Sequence, residues 1–190
     1  MTTSLAYTGS TTAAPRASIT LSATLTTSAA VAIAGKTVTF TLNSGTLSAT
    51  TNSSGVASVK TKAPTATGSY PITVTFAGDA TYAAASASAT LAVQIATKLT
   101  YKGTTRATTG ASITLSATLK TASGATAIPG ETVTLTLNGG APQSETTDGS
   151  GVASWTTTAP ATAGKYPIAI VFAGDATYAA ASASATLTVR

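Results

Sequence analysis

Few residues of this chain could carry chemistry, and two aspartates are the most suggestive. Asp79 and Asp175 each lie in a copy of the sequence Ala-Gly-Asp-Ala-Thr-Tyr. A carboxylate after a glycine can be a ligand of Ca²⁺, or it can accept hydrogen bonds from backbone N–H groups in a turn. Calcium is usually held by several carboxylates, and each of these loops offers only one. We therefore predict a turn residue at both positions and keep Ca²⁺ binding as the alternative.

A second pair of carboxylates, Glu145 and Asp148, lies close together before Gly151. A hydrolase with paired carboxylates sets them on opposite sides of a substrate cleft. These two belong to one loop, and the corresponding loop in the first half of the chain has Asn52 in place of Asp148. The pattern favours a solvated turn over a catalytic pair.

Nucleophilic and metal chemistry lack their usual residues, because the chain has no cysteine and no histidine. Serine and threonine are abundant, but they need a neighbouring base, and a lysine serves only when it is desolvated. Lys36, Lys60 and Lys62 fall on predicted strands with exposed positions. No glycine-rich phosphate-binding motif is present. We expect no enzymatic activity, no catalytic residue, no cofactor and no metal site beyond the weak calcium candidates.

The single tryptophan, Trp155, has two possible roles. A lone tryptophan can be a platform on which a sugar ring stacks, or it can be a core residue. Trp155 alternates in phase with Ala153 and Thr157, the predicted inner face of a strand. We predict that it lies in the core and keep ligand binding as the alternative.

An internal repeat organises these residues. Residues 18–25 recur unchanged at 112–119, and residues 76–91 recur unchanged at 172–187. The offset between the copies is 94 residues in the first block and 96 in the second. The two extra residues lie between 119 and 130 and between 138 and 151, and insertions mark surface loops. The sequence therefore predicts two domains, residues 1–94 and 95–190.

Apolar and hydroxyl residues alternate through the repeated blocks, which is typical of antiparallel strands with one buried face. We predict seven strands per copy and no helix, and this pattern fits an all-β Greek-key sandwich. The predicted strands of the first copy lie near 4–8, 17–26, 37–43, 47–51, 55–62, 69–77 and 86–94. The junction at 93–99 lacks Gly, Pro and Ser, so we expect an extended, semi-rigid pair of domains.

Tyr70 and Tyr166 lie where such a sandwich turns into its sixth strand, and a tyrosine there can hydrogen-bond back across the corner. Pro71 and Pro167 follow directly. Because proline lacks the N–H group of a strand ladder, we expect regular pairing to begin only after each proline.

Charge and hydropathy argue against a nucleic-acid partner and a membrane span. Charged residues make up 8% of the chain and the net charge is +5. No run of Lys or Arg suggests a nucleic-acid footprint, and no apolar run is long enough to span a bilayer. Met1 is not followed by the basic and apolar segments of a signal peptide, so if the parent protein is exported, we expect this chain to be a piece of it.

Several motifs resemble those of the bacterial immunoglobulin-like (Big-type) domain families. They are Gly35-x-Thr37-Val38-x-Phe40, residues 51–57, Gly68-x-Tyr70 and Phe76-Ala77-Gly78-Asp79-x-x-Tyr82, with their counterparts in the second copy. The resemblance covers the whole chain twice and implies two tandem immunoglobulin-like β-sandwiches. Such modules occur in adhesins, other cell-surface proteins and secreted multidomain enzymes.

The resemblance implies a non-catalytic structural or spacer module, associated with adhesion, in a larger extracellular or cell-surface bacterial protein. The alternative is an accessory carbohydrate-binding module of a secreted polysaccharide-active enzyme. The expected partners are neighbouring domains of the larger chain, with a surface glycan or protein as a further candidate. We expect a monomer that does not bind nucleic acid.

Overall fold

The computed structural model describes residues 1–190, and its regular structure consists of strands alone. The chain divides into two compact units, Met1–Gln94 and Ile95–Arg190. It contains no helix of the length and apolar character needed to cross a membrane.

Each unit contains eight strands. In the first unit they are β1 (Thr3–Tyr7), β2 (Thr12–Ala13), β3 (Ser18–Thr27), β4 (Thr37–Leu42), β5 (Gly45–Thr50), β6 (Val56–Lys62), β7 (Gly68–Phe76) and β8 (Ala85–Val93). In the second unit they are β9 (Thr97–Tyr101), β10 (Arg106–Ala107), β11 (Ser112–Thr121), β12 (Thr132–Leu137), β13 (Gln143–Thr146), β14 (Val152–Thr158), β15 (Gly164–Phe172) and β16 (Ala181–Val189).

Both units arrange their strands in the same two sheets. A three-stranded sheet has the order β1-β3-β6, or β9-β11-β14 in the second unit. A five-stranded sheet has the order β2-β8-β7-β4-β5, or β10-β16-β15-β12-β13. All neighbours are antiparallel except β2 with β8 and β10 with β16, which are parallel. The all-β prediction of two tandem sandwiches is confirmed.

The eighth strand of each unit, β2 or β10, was not among the seven predicted strands. It has only two residues, Thr12–Ala13 in the first unit and Arg106–Ala107 in the second. Two residues are too few for an alternating pattern to be visible, so only the parallel pairing with the last strand identifies them.

The alternation in the sequence places the core between the two sheets. In β3, for example, Ile19, Leu21, Ala23 and Leu25 are buried while the residues between them are partly exposed. Each unit has its own cluster of buried apolar side chains. This burial drives folding, and no disulfide is present to help it.

The prediction that regular strand pairing begins only after Pro71 and Pro167 was wrong. β15 begins at Gly164 and pairs with β16 on both sides of Pro167. The carbonyl of Pro167 accepts a hydrogen bond from the N–H of Asn138 at 2.7 Å, on the side facing β12. Because the N and C=O of one strand residue point the same way, the missing N–H lies on that side too. No bond to β16 is lost.

Candidate functional site

The first aspartate, Asp79, stabilises the turn between β7 and β8. Its Oδ1 atom accepts hydrogen bonds from the backbone N–H groups of Thr81 and Tyr82, at 2.8 and 2.9 Å. Gly78 has a φ of +83°, and a Cβ there would lie 2.7 Å from the backbone N of Ala84. The turn therefore requires glycine before the aspartate.

The other oxygen of Asp79 forms an ion pair. Its Oδ2 atom lies 2.7 Å from Nζ of Lys36, which also lies 5.3 Å from the centre of the Tyr82 ring. The hydrogen bond from Lys36, aided by the two backbone N–H groups, lowers the pKa of Asp79 to about 2. Both oxygens of this carboxylate thus have protein partners.

The second aspartate, Asp175, makes the same turn with a different neighbour. Its Oδ1 atom accepts from the N–H groups of Thr177 and Tyr178, at 2.7 and 2.6 Å. The position of Lys36 is taken by Glu131, whose carboxyl group forms a hydrogen bond with Asp175. Burial, and then the charge and hydrogen bond of Asp175, raise the pKa of Glu131. Two carboxyl groups therefore replace an ion pair.

Neither aspartate is part of a larger acidic group, since no cluster of three or more His, Cys, Asp or Glu side chains exists in the structure. In the first unit the partner of Asp79 is a cation, Lys36. A Ca²⁺ ion at either turn would find at most two carboxylates, together with backbone carbonyl groups and water. The geometry of both loops is that of a turn.

Glu145 and Asp148 do not face each other across a cleft. Asp148 Oδ1 accepts from the N–H groups of Ser150 and Val152, at 2.8 and 2.9 Å. Asn52 makes the same two contacts in the first unit, at 2.9 and 3.0 Å. Glu145 lies on the exposed edge strand β13, opposite Val133. The sequence and the structure agree in giving Asp148 a role in a turn.

Trp155 lies in the core of the second unit with 3% of its surface exposed. It is opposite Leu115 in the adjacent strand, and its Nε1–H group has no hydrogen-bond partner. A ring buried to this extent presents no face on which a sugar can stack.

The recurring tyrosines have structural contacts. The hydroxyl groups of Tyr70 and Tyr166 donate to the carbonyl groups of Ala66 and Thr162, four residues upstream, at 3.0 and 2.8 Å. This is the corner contact predicted from the sequence. Tyr7 donates to the carbonyl of Ser10 at 2.7 Å, and Tyr101 makes the equivalent bond to Thr104.

The structure also brings together three lysines that sequence reasoning missed. Lys98, Lys102 and Lys120 line one cleft of about 390 Å³ on the outer face of the three-stranded sheet of the second unit. A search for contiguous basic runs could not find them, because three residues separate Lys98 from Lys102 and Lys120 lies on the neighbouring strand β11. Comparing the copies would have found them, since Ser4, Thr8 and Thr26 are their counterparts.

The chain is similar to solved structures of bacterial adhesins, at low sequence identity. The Yersinia pseudotuberculosis adhesin InvE has 18% identity and a TM-score of 0.41, over 99% of this chain and 58% of that chain. A 1.5-MDa bacterial ice-binding adhesin has 16% identity and a TM-score of 0.41, over 97% of this chain and 64% of that one. The chain thus spans less than two thirds of the length of these structures.

A third structure, a Ca²⁺-stabilised adhesin of an Antarctic bacterium that binds ice, has 20% identity and a TM-score of 0.35. It is matched over 100% of this chain and 49% of that chain. No curated protein matches the chain.

The family comparison covers nearly every residue. The model of the bacterial Ig-like domain (group 3) matches residues 5–96 and again residues 99–190. The two matches correspond to the two eight-stranded sandwiches and confirm the resemblance seen in the sequence motifs. The chain therefore belongs to the bacterial Ig-like domain (group 3) family and contains two tandem copies of that domain.

Proposed function

We propose that the chain is a non-catalytic structural module, associated with adhesion, that spaces or presents other parts of a larger extracellular or cell-surface protein. The observation that carries this proposal is the parallel pairing of the entering and leaving segments in each unit. Bacterial Ig-like domains are generally non-catalytic, and the family resemblance supplies the adhesin context.

The parallel pairing determines how each unit responds to tension. In the first unit the N–H groups of Ala92 and Gln94 donate to the carbonyl groups of Thr11 and Ala13, both at 2.9 Å. The second unit repeats these bonds between Thr188 and Thr105 and between Arg190 and Ala107. A force that separates the two ends of a unit acts along these strands in opposite directions. It therefore shears the bonds together instead of breaking them one at a time.

The contacts of the polar and apolar side chains also support a structural role. The side chains of Asp79, Asp148 and Asp175 accept hydrogen bonds from turn backbone groups. Each core is filled with aliphatic and aromatic side chains. These features stabilise a fold, and none of them assembles a nucleophile with a base.

Single-molecule stretching of the full chain tests the proposal. We expect two discrete unfolding events, each lengthening the chain by about 300 Å, as roughly 95 extended residues require. Gln94→Pro removes one of the parallel bonds in the first unit, so one event should move to lower force while the other serves as an internal control. Stretching without discrete events, or no response to Gln94→Pro, would contradict the proposal.

The alternative function, an accessory carbohydrate-binding module of a secreted enzyme, rested on Trp155 as a stacking platform. The burial of that ring removes this support. Glycan binding that is lost in Trp155→Ala, with folding preserved, would restore the alternative.

A further inference from the structure

The second unit carries a cationic surface that its twin lacks. We propose that the cleft lined by Lys98, Lys102 and Lys120 binds an acidic polysaccharide, a sugar polymer bearing sulfate or carboxylate groups. This inference does not rest on the structural role proposed above, since a spacer needs no such surface.

Strand register creates the cationic cluster. Lys98 of β9 pairs directly with Lys120 of β11, which puts their Cβ atoms about 5 Å apart on the same face of the sheet. Lys102 directly follows the last residue of β9, and its N–H group donates to the carbonyl of Ser116 in β11, which continues the ladder by one residue. Lys102 therefore lies on that face too, four residues from Lys98, because side chains alternate along an extended strand. None of the three forms an ion pair.

The arrangement is unfavourable for the isolated domain. Like charges directly opposite each other on neighbouring strands are destabilising. The first unit avoids this cost, since Ser4 pairs with Thr26 at the same positions. No Asp or Glu lies on β9, β11 or β14 to compensate. An anionic partner would relieve the repulsion between the lysines, so the cluster is more favourable in a complex than in the isolated domain.

The spacing favours a polymer over a single small anion. The backbone positions of Lys98 and Lys102 are about 13 Å apart along the extended chain, so their ammonium groups reach one compact anion only if both side chains bend towards each other. An occupant that satisfies all three lysines carries negative groups at intervals along a chain. Lysine suits this task, because its ammonium group is a point charge that does not need the paired geometry of arginine.

The remaining lining favours sugar over nucleic acid or membrane. Besides the lysines, the cleft is lined by Thr100, Thr118 and Thr121, whose hydroxyl groups can exchange hydrogen bonds with sugar hydroxyls, and by two alanines. No aromatic side chain lines it, whereas proteins that bind single-stranded nucleic acid stack bases on aromatic rings. No large apolar side chain is exposed there to enter a bilayer.

Binding of the full chain to dextran sulfate, with neutral dextran as the matched polymer, tests the inference. The site variant carries the residues of the first copy, Lys98→Ser, Lys102→Thr and Lys120→Thr, which the fold already tolerates. The control variant loses the same number of charges elsewhere, through Lys60→Thr, Lys62→Thr and Lys165→Ser, and each new residue again comes from the other copy. Circular dichroism confirms folding of both.

We expect the wild type to bind dextran sulfate and not dextran, with an affinity that falls as salt rises. The site variant should bind about tenfold more weakly, since three exposed ion contacts of ordinary strength add up to roughly that factor. The control variant should bind within about twofold of the wild type, because long-range charge effects at the surface are screened.

Four outcomes would overturn the inference. Equal losses in the two variants would mean that net charge alone attracts the polymer. Tighter binding to an oligothymidine, or to vesicles containing phosphatidylserine, would identify another class of partner. Absence of binding, together with self-association of the site variant, would mean that the lysines only protect the edge strand β9 from pairing with other chains. These results leave the mechanical test of the spacer role untouched.

Discussion

The two units differ most instructively where the same turn meets a different neighbour. Asp79 is paired with Lys36, whereas Asp175 shares a hydrogen bond with Glu131. Both aspartates nevertheless accept the same two backbone N–H groups. The repeat thus preserves contacts between side chains and backbone and allows contacts between side chains to change. The former define the fold, and the latter tune stability and surface.

The cores differ in a compensated way. Phe40 and Val59 of the first unit correspond to Leu135 and Trp155 of the second. These positions lie on inner faces of opposite sheets, since β4 and β12 belong to the five-stranded sheets and β6 and β14 to the three-stranded ones. The large aromatic side chain thus lies on the five-stranded sheet in the first unit and on the three-stranded sheet in the second. The cross-strand neighbour also differs, since Phe40 is opposite Val74 and Leu135 is opposite the larger Ile170.

The largest expected effect breaks this compensation. Trp155→Ala should destabilise the second unit by about 3–5 kcal/mol, because it leaves a cavity in a packed core. Urea unfolding of the full chain, followed by circular dichroism and by hydrogen exchange in β11 and β3, measures the loss in each unit. Exchange in β3 of the first unit should not change.

A matched pair of variants sharpens the same point. Trp155→Val combined with Leu135→Phe gives the second unit the first unit's residues at these two positions and should be more stable than Trp155→Val alone. If the double variant is no more stable than the single one, the two positions do not compensate each other.

An intermediate effect is expected at the turn before β14. Asp148→Ala removes the acceptor for the N–H groups of Ser150 and Val152 and should destabilise the second unit by about 1–2 kcal/mol. Asp148→Asn should be nearly neutral, because Asn52 accepts the same bonds in the first unit. The emission of Trp155, the only tryptophan, monitors unfolding of the second unit. Equal losses in the two variants would show that charge, not hydrogen bonding, is what matters.

The smallest expected effect is a change in the stability of the two units in opposite directions as the pH falls. The pKa of Asp79 is about 2 when folded, below its ordinary value of 3.8. The first unit therefore loses stability as the pH falls from about 4 towards 2. The pKa of Glu131 is raised above its ordinary value of 4.5. Its penalty in the second unit grows as the pH rises above that value and is relieved as the pH falls towards it.

Glu131→Lys should abolish the acid stabilisation of the second unit, since it recreates the ion pair of the first unit. Trp155 emission during urea unfolding between pH 4 and 7 measures this, with Glu145→Lys as a control for the charge change. A wild-type second unit whose stability does not fall between those pH values would contradict the carboxyl pairing.

Sequence reasoning predicted the fold class and seven of the eight strands in each unit, because alternation along a strand is a local pattern and the repeat shows it twice. The buried side of β3 follows from Ile19, Leu21 and Leu25, and the turn role of Asp148 from its equivalence to Asn52. Contacts that depend on strand register could not be predicted from the sequence. Lys98 meets Lys120, and Glu131 meets Asp175, across more than twenty residues of chain. The two-residue strands β2 and β10 were missed, and the pairing at Pro71 and Pro167 was predicted wrongly. Both features depend on which strands lie next to each other in the sheet.

The unchanged block at 76–91 and 172–187 has a consequence for folding. Residues 85–91 of β8 are identical to residues 181–187 of β16, and each segment pairs along its hairpin partner in the same register. While the chain is still unfolded, either segment can complete either sheet. Exchange of strands between tandem repeats is a characteristic misfolding route. We therefore expect the two copies to compete for each other's last strand during folding, and an exchanged species must unfold before it can refold correctly.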